Sequence, residues 1–142
     1  MLTPCDRKNN HRSMLMNYSE STVQHYRNAW HQRAIEEASR NELRRTRALQ
    51  CAQEISDFLV KEFNAQRTIL IGSVLQRDRF RDTSDIDIVV EGIAPSEFFR
   101  AVALCQLPEF KVDLIDGATA GPLMKERAIK GMVLHDGQKQ NY

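Results

Sequence analysis

The residues of this chain best suited to chemistry are Gly72 and Ser73, Asp85 and Asp87, and Asp113. The sequence reads Ile71-Gly72-Ser73, then eleven residues, then Asp85-Ile86-Asp87-Ile88-Val89-Val90, and further on Phe110-Lys111-Val112-Asp113-Leu114-Ile115. Side chains alternate across a strand, so Asp85 and Asp87 share one face while Ile86, Ile88 and Val90 fill the other. Two carboxylates about 7 Å apart along a strand repel each other unless a cation sits between them. A third on a neighbouring strand completes an all-oxygen pocket of the kind Mg²⁺ prefers, with positions left for phosphate oxygens. Glycine lets the backbone approach a ligand closely, and the amides after it, with the Ser73 hydroxyl, can hold a phosphate. Neither feature is informative alone: Gly-Ser is an ordinary turn and Asp-x-Asp an ordinary pair of surface charges. Together, in strands that are otherwise hydrophobic, they predict a metal-dependent nucleotidyl-transfer site, because charge there is costly unless metal or hydrogen bonds satisfy it.

The elements that must position these residues follow from periodicity. From Cys5 to Ile71 there is neither glycine nor proline, which favours helix. Val23, Tyr26, Trp30, Ala34 and Ala38 recur at helical spacing, as do Ala48, Ala52, Ile55, Leu59 and Phe63. The register slips near Ser39-Arg40-Asn41, where Asn41 can cap a second helix, so helices are predicted over about 21–39 and 42–64. Beyond Asn64 the period becomes that of strands, predicted at 67–71, 85–91, 110–116 and 132–135. A short helix is predicted over 73–79, and Pro95 and Pro122 each open another. The fold class expected is α+β, a small mixed β-sheet with helices on one side, preceded by a long N-terminal helical region. The domain reading is a flexible N-terminus over 1–19, a helical region over 20–66 packing on the domain or on a partner, and the catalytic domain over 67–142.

Composition narrows the class. The chain has 142 residues, 42% hydrophobic and 27% charged, as in a soluble globular domain. The formal charge is +1: residues 1–66 carry ten basic and eight acidic groups, and residues 67–142 carry ten and eleven. That balance argues against a dedicated nucleic-acid-binding surface. No apolar run approaches the ~20 residues needed to cross a membrane, and residues 1–17 lack the apolar core of a signal peptide. Cys5, Cys51 and Cys105 have no metal-ligand spacing, which predicts reduced thiols in a cytoplasmic protein. Lys125, Arg127 and Lys130 are expected on a solvated helix face, as is the Arg44-Arg45-x-Arg47 cluster. His135 is assigned no catalytic role, and Tyr26 and Trp30 suit core or partner packing, with self-association as one outcome.

Ile-Gly-Ser, the eleven-residue gap, Ser-Asp-Ile-Asp-Ile-Val-Val and Lys-Val-Asp-Leu-Ile together resemble the DNA polymerase beta superfamily. Within it the sequence is most similar to the minimal nucleotidyltransferases, which include the antitoxins of HEPN/minimal-nucleotidyltransferase pairs. The resemblance covers about residues 67–137. It implies a polymerase-beta-like nucleotidyltransferase fold, with Gly72 and Ser73 as the phosphate-gripping turn. It further implies that Asp85, Asp87 and Asp113 ligate two Mg²⁺ ions, with Asp113 also activating the attacking hydroxyl. One departure concerns the residues after Gly-Ser, where many members place arginines directly and this chain has Val74, Leu75 and Gln76 before Arg77. Arg77 is the first candidate for triphosphate binding, with Arg79 and Arg81 as alternatives. The activity implied is transfer of AMP, or another nucleoside monophosphate, from a triphosphate such as ATP to a hydroxyl. The acceptor expected is a partner protein such as a HEPN toxin. Two alternatives are a small-molecule nucleotidyltransferase of the aminoglycoside-modifying kind and a non-catalytic module that neutralises a partner by binding.

Overall fold

The computed structural model describes residues 18–137. Most of the flexible N-terminus expected over 1–19, with Cys5, lies outside them. Helix α1 runs from Glu20 to Phe63 without interruption. The break expected near Asn41 is absent. Nothing in Ser39-Arg40-Asn41 forbids helical backbone, and the propensity loss at one asparagine is a few tenths of a kcal/mol or so, too little to end a helix flanked by Glu, Leu and Arg. The register slip marks something else: the chain divides into two compact units, one ending at Arg40 and the other beginning at Asn41. Ser19 opens the helix, its Oγ accepting from the Thr22 amide at 3.3 Å. Asn64, at φ 54°, closes it in the left-handed conformation that asparagine tolerates.

The second unit is built on one four-stranded sheet. Strands β1 (Arg67–Ile71), β2 (Ile86–Glu91), β3 (Val112–Asp116) and β4 (Met132–Asp136) stand in the order β3-β2-β1-β4. β1 runs antiparallel to both β2 and β4, whereas β2 and β3 are parallel. A parallel pair needs a crossover, and helix α2 (Pro95–Leu104) supplies it. Helix α3 (Pro122–Ile129) joins β3 to β4. Both helices carry proline in the first turn, where the missing N–H costs nothing.

The strands alternate as their sequences require. Leu70, Ile86, Ile88, Val90, Val112 and Leu114 face a core closed by Ala48, Ala52, Ile55 and Leu59 of α1 and by Ala101 of α2. Phe80, fully buried, fills the same core from the β1–β2 connection. Ser56 of α1 and Thr68 of β1 share a buried hydroxyl hydrogen bond of 2.6 Å, which satisfies both inside the apolar layer. Ile69, Ile71 and Val89 point the other way and are partly covered by Met124 and Ala128 of α3. That second face is the one on which the acidic residues stand.

Of the arginine cluster of α1, Arg47 is exposed as expected, whereas Arg44 and Arg45 are partly buried against the rest of the unit. Arg44 donates to the carbonyl oxygens of Asp82 and Glu109 and stacks over the Phe110 ring, and Arg47 pairs with the Glu109 carboxylate at 3.3 Å. Cys51 and Cys105 are free and buried, and burial pushes the Cys105 thiol up to about 11. Among the described residues no helix is long and apolar enough to cross a membrane.

Candidate functional site

The β2–β3 register decides the geometry. Asp87 lies directly across from Asp113 in the parallel ladder and from Ile71 in the antiparallel one. Asp85 precedes β2 by one residue, its neighbour Ile86 held by a hydrogen bond that its amide N–H donates to the Lys111 carbonyl oxygen at 2.9 Å. Residues i and i+2 project from one face, so both carboxylates reach the side where Asp113 waits. Carboxylate oxygens of Asp85, Asp87 and Asp113 all lie within 4.8 Å of one another, and each residue is half-buried.

Three like charges so close raise the energy of the ionised state. The Asp87 carboxyl is pushed above its ordinary value, first by burial, then by the charges of Asp113 and Asp85 and by a hydrogen bond with Asp113. Lys111 acts in the opposite sense on Asp87, and its ammonium stands 3.9 Å from the Asp113 carboxylate. One exposed lysine offsets little of a triple negative charge. The donor set fits a hard divalent cation: all oxygen, anionic, convergent and partly open to solvent. Asp85, Asp87 and Asp113 are the residues that could hold it.

Gly72 sits against this cluster. Its backbone adopts φ 92° and ψ −163°, a region essentially reserved for glycine, and a Cβ there would stand 3.0 Å from Asp87 Oδ2. The helix expected over 73–79 is a single 3₁₀ turn, Ser73–Leu75, followed by tight turns that bring the Arg79 and Phe80 amides to the Gln76 carbonyl. Phe80, drawn into the core, pulls the chain out of helical register. Arg45 braces the turn, donating from Nε to the Val74 carbonyl at 2.7 Å.

An open cleft of ≈680 Å³ extends from Asp87 and is lined by Gly72, Ser73, Gln76, Arg79, Arg127 and Lys130, among others. Arg77 does not line it. Its guanidinium is exposed and pairs with Glu42 at 3.3 Å, the same carboxylate that holds Arg45. Arg127 and Lys130 reach the cleft because β4 pairs with β1, which sets the end of α3 beside Gly72. The spacing of these two at the helix end was their one signal in the sequence, and it does not say which surface the helix faces.

No protein-family model matches the chain, and no curated protein matches it. Among solved structures, a "putative nucleotidyltransferase" from Sulfolobus solfataricus is similar at 23% identity, covering 66% of this chain and 84% of that one with a TM-score of 0.47.

Proposed function

We propose that this chain is a metal-dependent nucleotidyltransferase that moves a nucleoside monophosphate, AMP from ATP, onto a hydroxyl of a partner protein. The observation that carries the reading is the meeting of three carboxylates within 4.8 Å, beside a cleft with three cationic side chains. Divalent cations on Asp85, Asp87 and Asp113 would neutralise phosphate charge and lower the pKa of the attacking hydroxyl. The chain's own groups do the rest. Arg79 and Arg127, with Lys130 shared with Glu126 at 3.4 Å, give the cleft the positive charge that a polyphosphate needs, without a helix dipole of any length to assist. Gly72 leaves room beside Asp87, and Ser73 offers its hydroxyl and amide to a phosphate oxygen. The acceptor oxygen forms its bond to the α-phosphorus as the bond to the β-bridging oxygen breaks, and pyrophosphate leaves. Asp113, with a half-exposed side chain beside Lys111, would accept the hydroxyl proton.

The choice of ATP and of a protein acceptor rests on the sequence resemblance, and a HEPN-type toxin is the partner it suggests. The test is incubation of the purified chain with α-labelled ATP and Mg²⁺ in three arms: alone, with an aminoglycoside, and with the product of the neighbouring reading frame. Label on the partner protein supports the proposal, and label on the aminoglycoside moves the acceptor to a small molecule. Partner binding with no label in any arm overturns the enzymatic reading in favour of a non-catalytic binding module.

A further inference from the structure

Residues 20–40 of α1 form a helix whose side chains are almost all exposed within the described residues. A helix of that length without tertiary support is marginal in water, because most helical stability in proteins comes from a packed face. This one has a face to pack. Val23, Tyr26, Trp30, Ala34 and Ala38 share one side at three- and four-residue spacing, and the large rings of Tyr26 and Trp30 stay 52% and 56% exposed. The two rings lie 6.2 Å apart and form one aromatic ridge. Two charges, Arg27 and Glu37, fall within or beside the same stripe.

The stripe is ordered from large to small: rings in its first half, alanines in its second. A parallel pairing with a second copy would set ring against ring and Arg27 against Arg27. An antiparallel pairing about a two-fold axis at residue 32 does the reverse. It places Trp30 opposite the partner subunit's Ala34, Tyr26 opposite the partner's Ala38 and Arg27 opposite the partner's Glu37, and each contact occurs twice. One register thus satisfies shape and charge at once. We propose that residues 23–38 of α1 form an antiparallel helix pair with the same residues of a second copy of this chain, an isologous contact with Trp30 near its centre.

Sedimentation of the full chain across a concentration series tests this, with fluorescence of Trp30, the single tryptophan, as an independent readout. The expected result is a reversible dimer whose formation shifts Trp30 emission to the blue. Arg27→Glu and Glu37→Arg each turn two symmetry-related attractions into repulsions, so each should weaken dimerisation by roughly ten- to thirtyfold. The double variant Arg27→Glu/Glu37→Arg should return to within about threefold of the parent, a rescue that parallel pairing does not give. Far-UV circular dichroism at a concentration that saturates each dimer should show the same helix content in all variants, and helix content should fall on dilution as the dimer dissociates. A chain that stays monomeric at every concentration, as it would if a different protein covered the stripe, overturns the proposal. So do single charge reversals without effect, or a double variant no better than the singles.

Discussion

Replacing Asp87 by asparagine should make the protein more stable and, at the same time, blind to divalent cations. One oxygen of Asp87 lies within 4.8 Å of an oxygen of Asp85 and of an oxygen of Asp113. At that distance a pair of charges costs about 3 kcal/mol at an effective dielectric of 20 and under about 1 kcal/mol in bulk water. Half-exposure puts the cluster between these limits, and Lys111 offsets part of the repulsion. Neutralising Asp87 while keeping its shape should thus add about 1–3 kcal/mol in EDTA, or roughly 3–10 °C in Tm. The sign with pH follows from the raised carboxyl. The native state keeps its Asp87 proton above the unfolded value of 3.8, so it binds more protons there than the unfolded chain. Stability falls as pH rises from that value through the folded one, and the penalty is complete above both. The gap between Asp87→Asn and the parent should therefore open with rising pH and close in acid. Mg²⁺ should stabilise the parent, by about 2.7 kcal/mol at a hundredfold excess over Kd, and should leave the variant unmoved. Thermal melts in EDTA and in Mg²⁺ at several pH values read all of this. A variant less stable than the parent in EDTA, or equally raised by Mg²⁺, would refute the reasoning.

Three further substitutions probe the surroundings. Gly72→Ala forces a side chain into a glycine-only conformation and against Asp87 Oδ2, which should cost about 1–3 kcal/mol in denaturant melts and about a hundredfold in nucleotidyl transfer. Arg79→Ala should raise the KM for the nucleotide about tenfold or more, whereas Arg77→Ala, which loses only its contact with Glu42, should leave it within about twofold. Ser56→Ala strands the Thr68 hydroxyl in the core and should cost about 1–3 kcal/mol in urea unfolding, while Ser56→Ala/Thr68→Val should recover much of that loss.

The strands and the acidic cluster were legible because alternation is a local code. Ile86, Ile88 and Val90 against Asp85, Asp87 and, in the neighbouring strand, Asp113 can be sorted to faces from sequence alone. Placing Asp113 directly across from Asp87 took the parallel β2–β3 register, which depends on how α2 crosses over. Other features were not local. Asn41 looked like a cap, but a cap residue inside an otherwise strong helical run is simply absorbed. Arg77 was the obvious cation by position, yet Glu42, thirty-five residues earlier, captures it. Arg127 and Lys130 are exposed, as a solvated helix face requires, but nothing in a helix's own sequence says which sheet edge, and so which cleft, it will lie beside. The arginines of α1 read as solvated too, and only the fold shows that Arg44 and Arg45 hold loop carbonyls.

The central claim is that Asp85, Asp87 and Asp113 jointly hold divalent cations for chemistry on a triphosphate. A crystal grown with Mn²⁺ and a non-hydrolysable ATP analogue, with anomalous scattering recorded from the metal, tests it most directly. The expected result is anomalous density in contact with all three carboxylates and a polyphosphate running past Ser73 towards Arg79. Full occupancy of the nucleotide elsewhere, with no metal signal among the three aspartates, would contradict it.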